Sequence, residues 1–125
     1  MLVHKVKTAP KAIGPYCHAT QVGELVFCSG QTPLDPDTMK LSGDSIDAQT
    51  ERALRNLELV LVELGSSLQA VVKTTVFLTD MDHFTEMNTA YARCFGEHTP
   101  ARTTVAVKAL PKDALVEIEC IAQVS

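Results

Sequence analysis

The sequence of 125 residues lacks the motifs that identify most metal- and cofactor-dependent enzymes. It contains no glycine-rich phosphate loop, no H-E-x-x-H or G-x-S-x-G motif and no C-x-x-C pair. None of the four cysteines is spaced from a histidine as a zinc site requires. We therefore expect no metal and no cofactor, and interpret the cysteines as buried free thiols of a reducing compartment, by default the cytoplasm.

Long apolar runs and an excess of positive charge are also missing. The most apolar stretch, residues 57–64, is interrupted by Glu58 and Glu63 and is too short to span a membrane. Eleven Lys and Arg against fifteen Asp and Glu give a net charge of −4, which disfavours nucleic acids and anionic membranes as partners. The composition, 46% hydrophobic and 21% charged, is typical of globular proteins, and we expect one domain over residues 1–125.

Two segments have the spacing of amphipathic helices. Apolar residues recur every three to four positions over residues 48–64 and again over residues 82–95. Ser45 or Asp47 can cap the first helix, and a glycine follows each helix where a left-handed stop belongs.

The remaining regular segments have the composition and alternation of β-strands. The predicted strands are residues 25–29, 71–79, 103–107 and 115–124, with two weaker ones at residues 3–7 and 18–22. The resulting order, β-β-β-α-β-α-β-β, predicts an α+β fold in which both helices cover one face of the sheet. The other face would carry four apolar side chains: Phe27, Phe77, Leu115 and Ile121. Since soluble monomers rarely expose such a patch, we expect the chain to self-associate through it.

Three charged residues lie at strand positions where they could bind or activate a small molecule. Arg102 could form a surface ion pair, or its planar guanidinium could bind a small carboxylate through two hydrogen bonds. Glu117 and Glu119 share one face of the last strand, about 7 Å apart. They could simply be solvated, but on a partly buried face a desolvated carboxyl has a raised pKa and can transfer protons near neutral pH.

The other candidate site residues each have an ordinary structural explanation as well. Ser29 and Gly30 end a strand, where turn formation competes with close approach of a ligand to the glycine backbone. Tyr16 follows a Gly-Pro turn and could donate its hydroxyl proton to a ligand. Asn88 lies at the edge of the second helix's apolar stripe, where a local hydrogen bond would explain it.

Taken together, seven segments resemble the RidA family, also called YjgF, of reactive intermediate deaminases, and they extend over essentially the whole chain. They are Ile13-Gly14-Pro15-Tyr16, Ser29-Gly30-Gln31, Gln49…Asn56, residues 73–78, Asn88…Tyr91, Pro100-Ala101-Arg102 and residues 110–119. The resemblance implies a chorismate-mutase-like α+β fold, assembled as a homotrimer with a small-acid site in each cleft between subunits.

The resemblance also implies roles for individual residues. Arg102 matches the family's carboxylate-binding arginine, and Glu117 matches its water-activating glutamate. Tyr16, Ser29, Gly30 and Asn88 match residues that line the family's cleft, and family ligands meet the main chain near Thr104. Thr103-Thr104 depart from the Ser or Ala followed by Cys of many members, which puts thiol-dependent behaviour in doubt.

The function that the resemblance implies is hydrolysis of 2-imino acids to 2-keto acids and ammonia, without a cofactor. Such imines form from enamines, for example 2-aminoacrylate, that pyridoxal-phosphate enzymes release. One alternative is a non-catalytic protein that binds small carboxylates such as 2-keto acids. A weaker alternative is an RNA-acting protein, which the acidic composition disfavours.

Overall fold

The computed structural model describes residues 1–124, in which six strands form one sheet and two α-helices pack on it. The elements are β1 (Leu2–His4), β2 (Ala19–Val22), β3 (Leu25–Gln31), α1 (Ile46–Glu63), β4 (Val71–Leu78), α2 (Phe84–Phe95), β5 (Ala101–Ala106) and β6 (Val116–Gln123). Across the sheet the strands lie in the order β1-β2-β3-β6-β4-β5, and only the β4–β5 pair is parallel. The predicted order and the α+β class are confirmed.

Local chemistry determines where α1 begins and where both helices end. The Ser45 hydroxyl accepts a hydrogen bond from the Ala48 amide at 3.1 Å, which satisfies one free amide of the first turn of α1. Gly65 (φ +78°) and Gly96 (φ +65°) then adopt the left-handed conformations that end the helical paths. Both predicted helices are therefore confirmed, with α1 beginning two residues earlier than expected.

The core lies between the helices and one face of the sheet. Leu54, Leu57 and Leu61 of α1 and Phe95 of α2 are at most 1% exposed. Burying each such side chain contributes roughly 1.5–3 kcal/mol. Along β6 the residues alternate between this core and the opposite side, so that Val116, Ile118, Cys120 and Ala122 are buried.

In the described part of the chain, no α-helix packs on the opposite face of the sheet. Phe27 is 41% exposed there, while Phe77 and Ile121 are half-buried. Leu115 is a correction, because it packs against the core. Its backbone N–H donates to the Gln49 side-chain oxygen at 2.8 Å, so it precedes the alternating part of β6.

The structure also tests the predicted strand bounds, the burial of the cysteines and the absence of a membrane span. Residues 29–31 belong to β3, so the predicted turn at Ser29-Gly30-Gln31 is wrong, and β1 is residues 2–4 instead of 3–7. Cys28, Cys94 and Cys120 are buried free thiols as predicted, whereas Cys17 is half-buried. Over residues 1–124, no helix is long and apolar enough to cross a membrane.

Candidate functional site

A cleft of about 570 Å³ opens beside the ends of β3 and β6. Four of the predicted site residues, Tyr16, Ser29, Gly30 and Glu117, line it together. Glu119, the second carboxylate residue of β6, also lines the cleft. The sheet therefore gathers residues that are far apart in sequence around one concave surface.

Gly30 and Glu117 are in close contact in the cleft. The register between β3 and β6 shifts between Cys28 and Gln31, which places an extra residue in β3 as a β-bulge. A Cβ atom at Gly30 would lie 3.0 Å from Cδ and 3.1 Å from Oε2 of Glu117. The missing side chain at residue 30 is therefore what allows the carboxylate to lie directly over the strand backbone.

The carboxyl of Glu117 is held in an environment that disfavours its charged form. Burial raises its pKa above the ordinary value, and the negative charge of Glu119 raises it further. Within residues 1–124, no ion pair of Glu117 offsets these effects. A carboxyl of this kind is suited to accept and return a proton.

Two hydroxyl groups in the cleft have opposite hydrogen-bonding capacities. The Tyr16 hydroxyl oxygen accepts from the Ile13 backbone N–H at 3.1 Å, so its proton is free to donate into the cleft. The Ser29 hydroxyl donates its proton to the Cys17 carbonyl at 2.7 Å. Toward a ligand, Ser29 can therefore act only as an acceptor while that bond persists.

Arg102 lies elsewhere, on the edge strand β5 beside α2. Its guanidinium carbon is 4.8 Å from the centre of the Tyr91 ring and 5.6 Å from that of Phe84, a distance range typical of cation–π contacts. Among the described residues Arg102 forms no ion pair, so the surface ion-pair alternative is wrong. Its guanidinium donors are available to a carboxylate.

The sheet register places Arg102 and Glu117 on opposite faces. Arg102 pairs laterally with Thr74, a fully buried residue of the helix-covered face. Glu117 pairs with Phe77, which projects to the open face. Since laterally paired residues point to the same side of a sheet, one chain does not bring the two proposed catalytic residues into one cleft.

Two further predicted residues, Asn88 and Thr104, lie on the Arg102 side. Thr104 is two positions from Arg102 on the same face of β5, and Asn88 lies between Phe84 and Tyr91 on α2. Asn88 Oδ1 and Thr104 Oγ1 are buried and have no hydrogen-bond partner within residues 1–124. Buried polar atoms of this kind are rare and often mark a site where a missing partner binds. The local hydrogen bond suggested for Asn88 is therefore absent at its oxygen.

His18, a buried residue that also lines the cleft, was not among the predicted site residues. Its Nδ1 accepts from the Val6 N–H at 3.0 Å, and its Nε2 lies 2.7 Å from the Pro10 carbonyl. These contacts fix the neutral ring with its proton on Nε2. His18 thereby holds residues 6–10 against the sheet, and the only sequence signal was its position beside the Gly-Pro-Tyr segment.

Asn56 positions the chain that leaves the cleft after β3. It is fully buried on α1, and its Nδ2 donates to the carbonyls of Thr32 at 3.0 Å and Leu34 at 2.8 Å. Its Oδ1 accepts from Arg52 Nε at 3.1 Å. This explains structurally why an amide occurs in the apolar stripe of the helix.

Asn56→Ala is expected to lower the free energy of unfolding by about 2–4 kcal/mol, because two backbone carbonyls lose their donor. Asn88→Ala is the matched control, since Asn88 Oδ1 has no partner to lose, and it should cost less than about 1 kcal/mol. Urea denaturation of both variants measures the difference. Equal losses would contradict the assignment of Asn56 as the residue that holds this segment.

Residues 1–124 contain no group of three or more His, Cys, Asp or Glu side chains arranged to hold a metal ion. The polar groups that the structure does bring together form two clusters instead. One contains Glu117 with Tyr16, and the other contains Arg102 with Asn88 and Thr104.

The chain is similar to known proteins over nearly its full length. The family model described as endoribonuclease L-PSP matches residues 6–124. A RutC family protein of Pyrococcus abyssi is 48% identical over 114 residues, which cover 91% of this chain and 90% of that protein. The structure of RidA from the Antarctic bacterium Psychrobacter superposes with a TM-score of 0.94 at 39% identity, covering 99% of this chain and 100% of that one. Escherichia coli TdcF with bound serine superposes at 0.93 with 38% identity, covering 100% of both chains.

Proposed function

The chain belongs to the endoribonuclease L-PSP family, the YjgF/RidA family, and on that premise we propose that it hydrolyses 2-imino acids to 2-keto acids and ammonia. Membership supports a Rid-type deaminase or a related role. The observation that carries the finer proposal is the Glu117 carboxyl, desolvated and packed on Gly30 in an open cleft. A carboxyl in that state suits the activation of water.

The proposed substrate needs an anchor for its carboxylate, and Arg102 is the cation that can provide it. Its guanidinium has no competing ion pair among the described residues and rests against two aromatic rings. Those rings restrict its orientation, which favours two parallel hydrogen bonds to one carboxylate. TdcF with bound serine is a relative that holds a small molecule bearing a carboxylate.

The proposed reaction proceeds through three proton transfers, each of which involves Glu117. Glu117 takes a proton from water as the water oxygen bonds to C2 of the protonated imine, and the C=N electron pair moves to nitrogen. The Glu117 carboxylic acid then protonates that nitrogen. The C–N bond breaks, its electron pair leaves with the ammonia, and the new hydroxyl gives its proton to Glu117 as it becomes the keto group. Glu117 then releases this proton to solvent, where ammonia takes it up as ammonium, and the carboxylate is restored. Tyr16 can donate its free proton to the substrate and orient it.

We also propose that the complete site lies between copies of the chain in a homotrimer. Glu117 and Arg102 occupy opposite faces of one sheet, so an intramolecular site would lack its anchor. The open face carries Phe27, Phe77 and Ile121, and burying them would drive association. A neighbouring copy could then supply Arg102, Asn88 and Thr104 to the cleft.

A second candidate, binding of small carboxylates without catalysis, uses the same groups. It is favoured by TdcF having been crystallised with serine bound. In that case Arg102 and the unpartnered Asn88 oxygen would hold a 2-keto acid or amino acid, and Glu117 would contribute only a hydrogen bond. Saturable binding with no ammonia release would identify this function.

The test generates the imine in place with a serine or threonine dehydratase and follows 2-keto acid and ammonia release in competition with semicarbazide. Wild-type protein should accelerate release, and Arg102→Ala should lower kcat/KM at least about 10²-fold by removing charge-assisted hydrogen bonds. Arg93→Ala is the matched control, since Arg93 forms an exposed pair with Asp47 remote from the cleft residues, and it should keep wild-type activity. No acceleration by wild type would overturn the hydrolysis proposal, and calorimetry with 2-keto acids would then test binding.

Gly30→Ala should reduce kcat/KM by about 10- to 100-fold with little change in stability, because small displacements of a catalytic group have effects of that size. The three atoms nearest to the added Cβ, Cγ, Cδ and Oε2, all belong to the flexible side chain of Glu117, which can rotate aside. Gly23→Ala makes the opposite control: its φ of +60° strains any side chain, although nothing lies within 4 Å. It should lower the melting temperature and leave kcat/KM unchanged. If Gly30→Ala retained full activity, the packing of Glu117 on the backbone would not matter to the reaction.

A further inference from the structure

We propose that a basic groove next to the cleft binds a small anion with two or more negative charges, of the phosphate ester or pyrophosphate class. The groove has a volume of about 470 Å³ and is lined by Lys5, Lys7 and Lys11. Its lining contains no carboxylate, whereas the cleft contains both Glu117 and Glu119. The two concave surfaces adjoin and share Lys11, Ala12, Tyr16 and His18, but Lys5 and Lys7 line only the groove and the two carboxylates line only the cleft.

The distribution of charge along the chain supports this assignment. The whole sequence carries −4, yet residues 1–23 contain these three lysines and not one Asp or Glu. Within the described part of the chain, none of the three lysines forms an ion pair. Three uncompensated ammonium groups around one depression create a local positive potential in an otherwise acidic protein.

The backbone that carries these lysines is fixed, so the groove is preorganised. Val6 is 4% exposed, and because side chains alternate along an extended segment, Lys5 and Lys7 both project away from the core. The buried His18 ring holds this segment at two points, through the Val6 N–H and the Pro10 carbonyl. Only the lysine side chains must be ordered when an anion binds, which lowers the entropic cost.

The choice of a small, multiply charged anion follows from the lysines and from the size of the groove. Ammonium groups bind phosphate oxygens as point charges, without the planar geometry that favours a carboxylate at arginine. Three of them suit an anion that presents several oxygens in different directions. Carboxylates in the adjoining cleft would repel a long polyanion extending into it.

The test titrates purified wild-type protein with sodium pyrophosphate at low ionic strength by isothermal calorimetry, and compares the double variant Lys5→Gln/Lys7→Gln. The matched control is Lys40→Gln/Lys108→Gln, which removes the same charge from exposed positions outside the groove. We expect the groove variant to bind at least about tenfold more weakly, the control to bind like wild type, and the affinity to fall with salt.

Equal weakening in both double variants would overturn the proposal, because the effect would then be one of net charge. Absence of saturable pyrophosphate binding to wild type would overturn it as well. Binding of a single-stranded oligonucleotide but not of pyrophosphate would replace the small anion with an RNA ligand. Calorimetry reads binding directly, so the result is independent of whether the cleft hydrolyses imines.

Discussion

Glu117→Gln is expected to reduce kcat/KM for imine hydrolysis by about 10³-fold, within the range typical of removing a general base. Glutamine keeps the size and hydrogen-bonding oxygen of the side chain, and its contact with Gly30 is retained. What it lacks is the ability to take a proton from water. Steady-state kinetics in the coupled dehydratase assay measure the loss, and a variant with more than a tenth of wild-type activity would exclude Glu117 as the base.

The pH dependence of the reaction adds a second readout. The base must be ionised in free enzyme, so the raised pKa of Glu117 sets the acidic limb of kcat/KM above the range of an ordinary glutamate. Glu119→Gln removes the neighbouring negative charge that contributes to the shift. The acidic limb of the kcat/KM profile should then move to lower pH, while the plateau value changes little. If the limb did not move, a group other than Glu117 would determine the pH dependence.

Protein stability separates a catalytic role of Glu117 from a structural one. The pKa of Glu117 is higher in the folded chain than in the unfolded chain, so the folded state binds the proton more tightly. Its contribution to stability is therefore fully present below the unfolded pKa and is lost as pH rises through the folded pKa. Above that pKa the folded protein carries an ionised carboxylate in a desolvated position, which lowers the free energy of unfolding. At neutral pH Glu117→Gln removes this cost, so the variant should unfold at an equal or higher urea concentration than wild type. This result is expected for a catalytic residue that lowers stability. If Glu117 had a structural role instead, its replacement would lower the free energy of unfolding.

The sequence predicted most of the fold because local rules agree with the final packing. The helical periodicity, the Ser45 cap and the glycine stops place α1 within two residues of its observed start. Alternation along β6 correctly placed Glu117 and Glu119 on one face. These features depend on residues close together in the chain, where propensity and burial act in the same direction.

What the sequence could not provide depends on pairing between distant strands. The bulge at residues 29 and 30 exists only relative to β6, so a segment with turn-forming residues was mistaken for a turn. Likewise, the side of the sheet that Arg102 faces follows from its pairing with Thr74 across a parallel ladder. A shift of one residue in that register would have put Arg102 on the same face as Glu117.

Mixing two inactive variants should restore activity, because Arg102 and Glu117 face opposite sides of the sheet within one chain. In the proposed trimer, Arg102→Ala copies still provide Glu117, and Glu117→Gln copies still provide Arg102. A cleft between one copy of each kind, in the correct order, contains both residues. Every trimer that contains both variants has one such cleft among its three, so about a third of wild-type activity should return to the mixed assemblies.

Coexpression of the two variants with different affinity tags, followed by sequential purification, yields the mixed assemblies for this experiment. A blend of the separately purified variants, assayed before subunits exchange, is the control and should show only the residual activity of its parents. If mixed assemblies were no more active than this blend, Arg102 and Glu117 would have to act from the same copy or not together at all. Recovery near one third would show that neighbouring copies jointly form each site. Two opposite faces of one sheet can contact a single small substrate only when a second copy places one of those faces against the cleft.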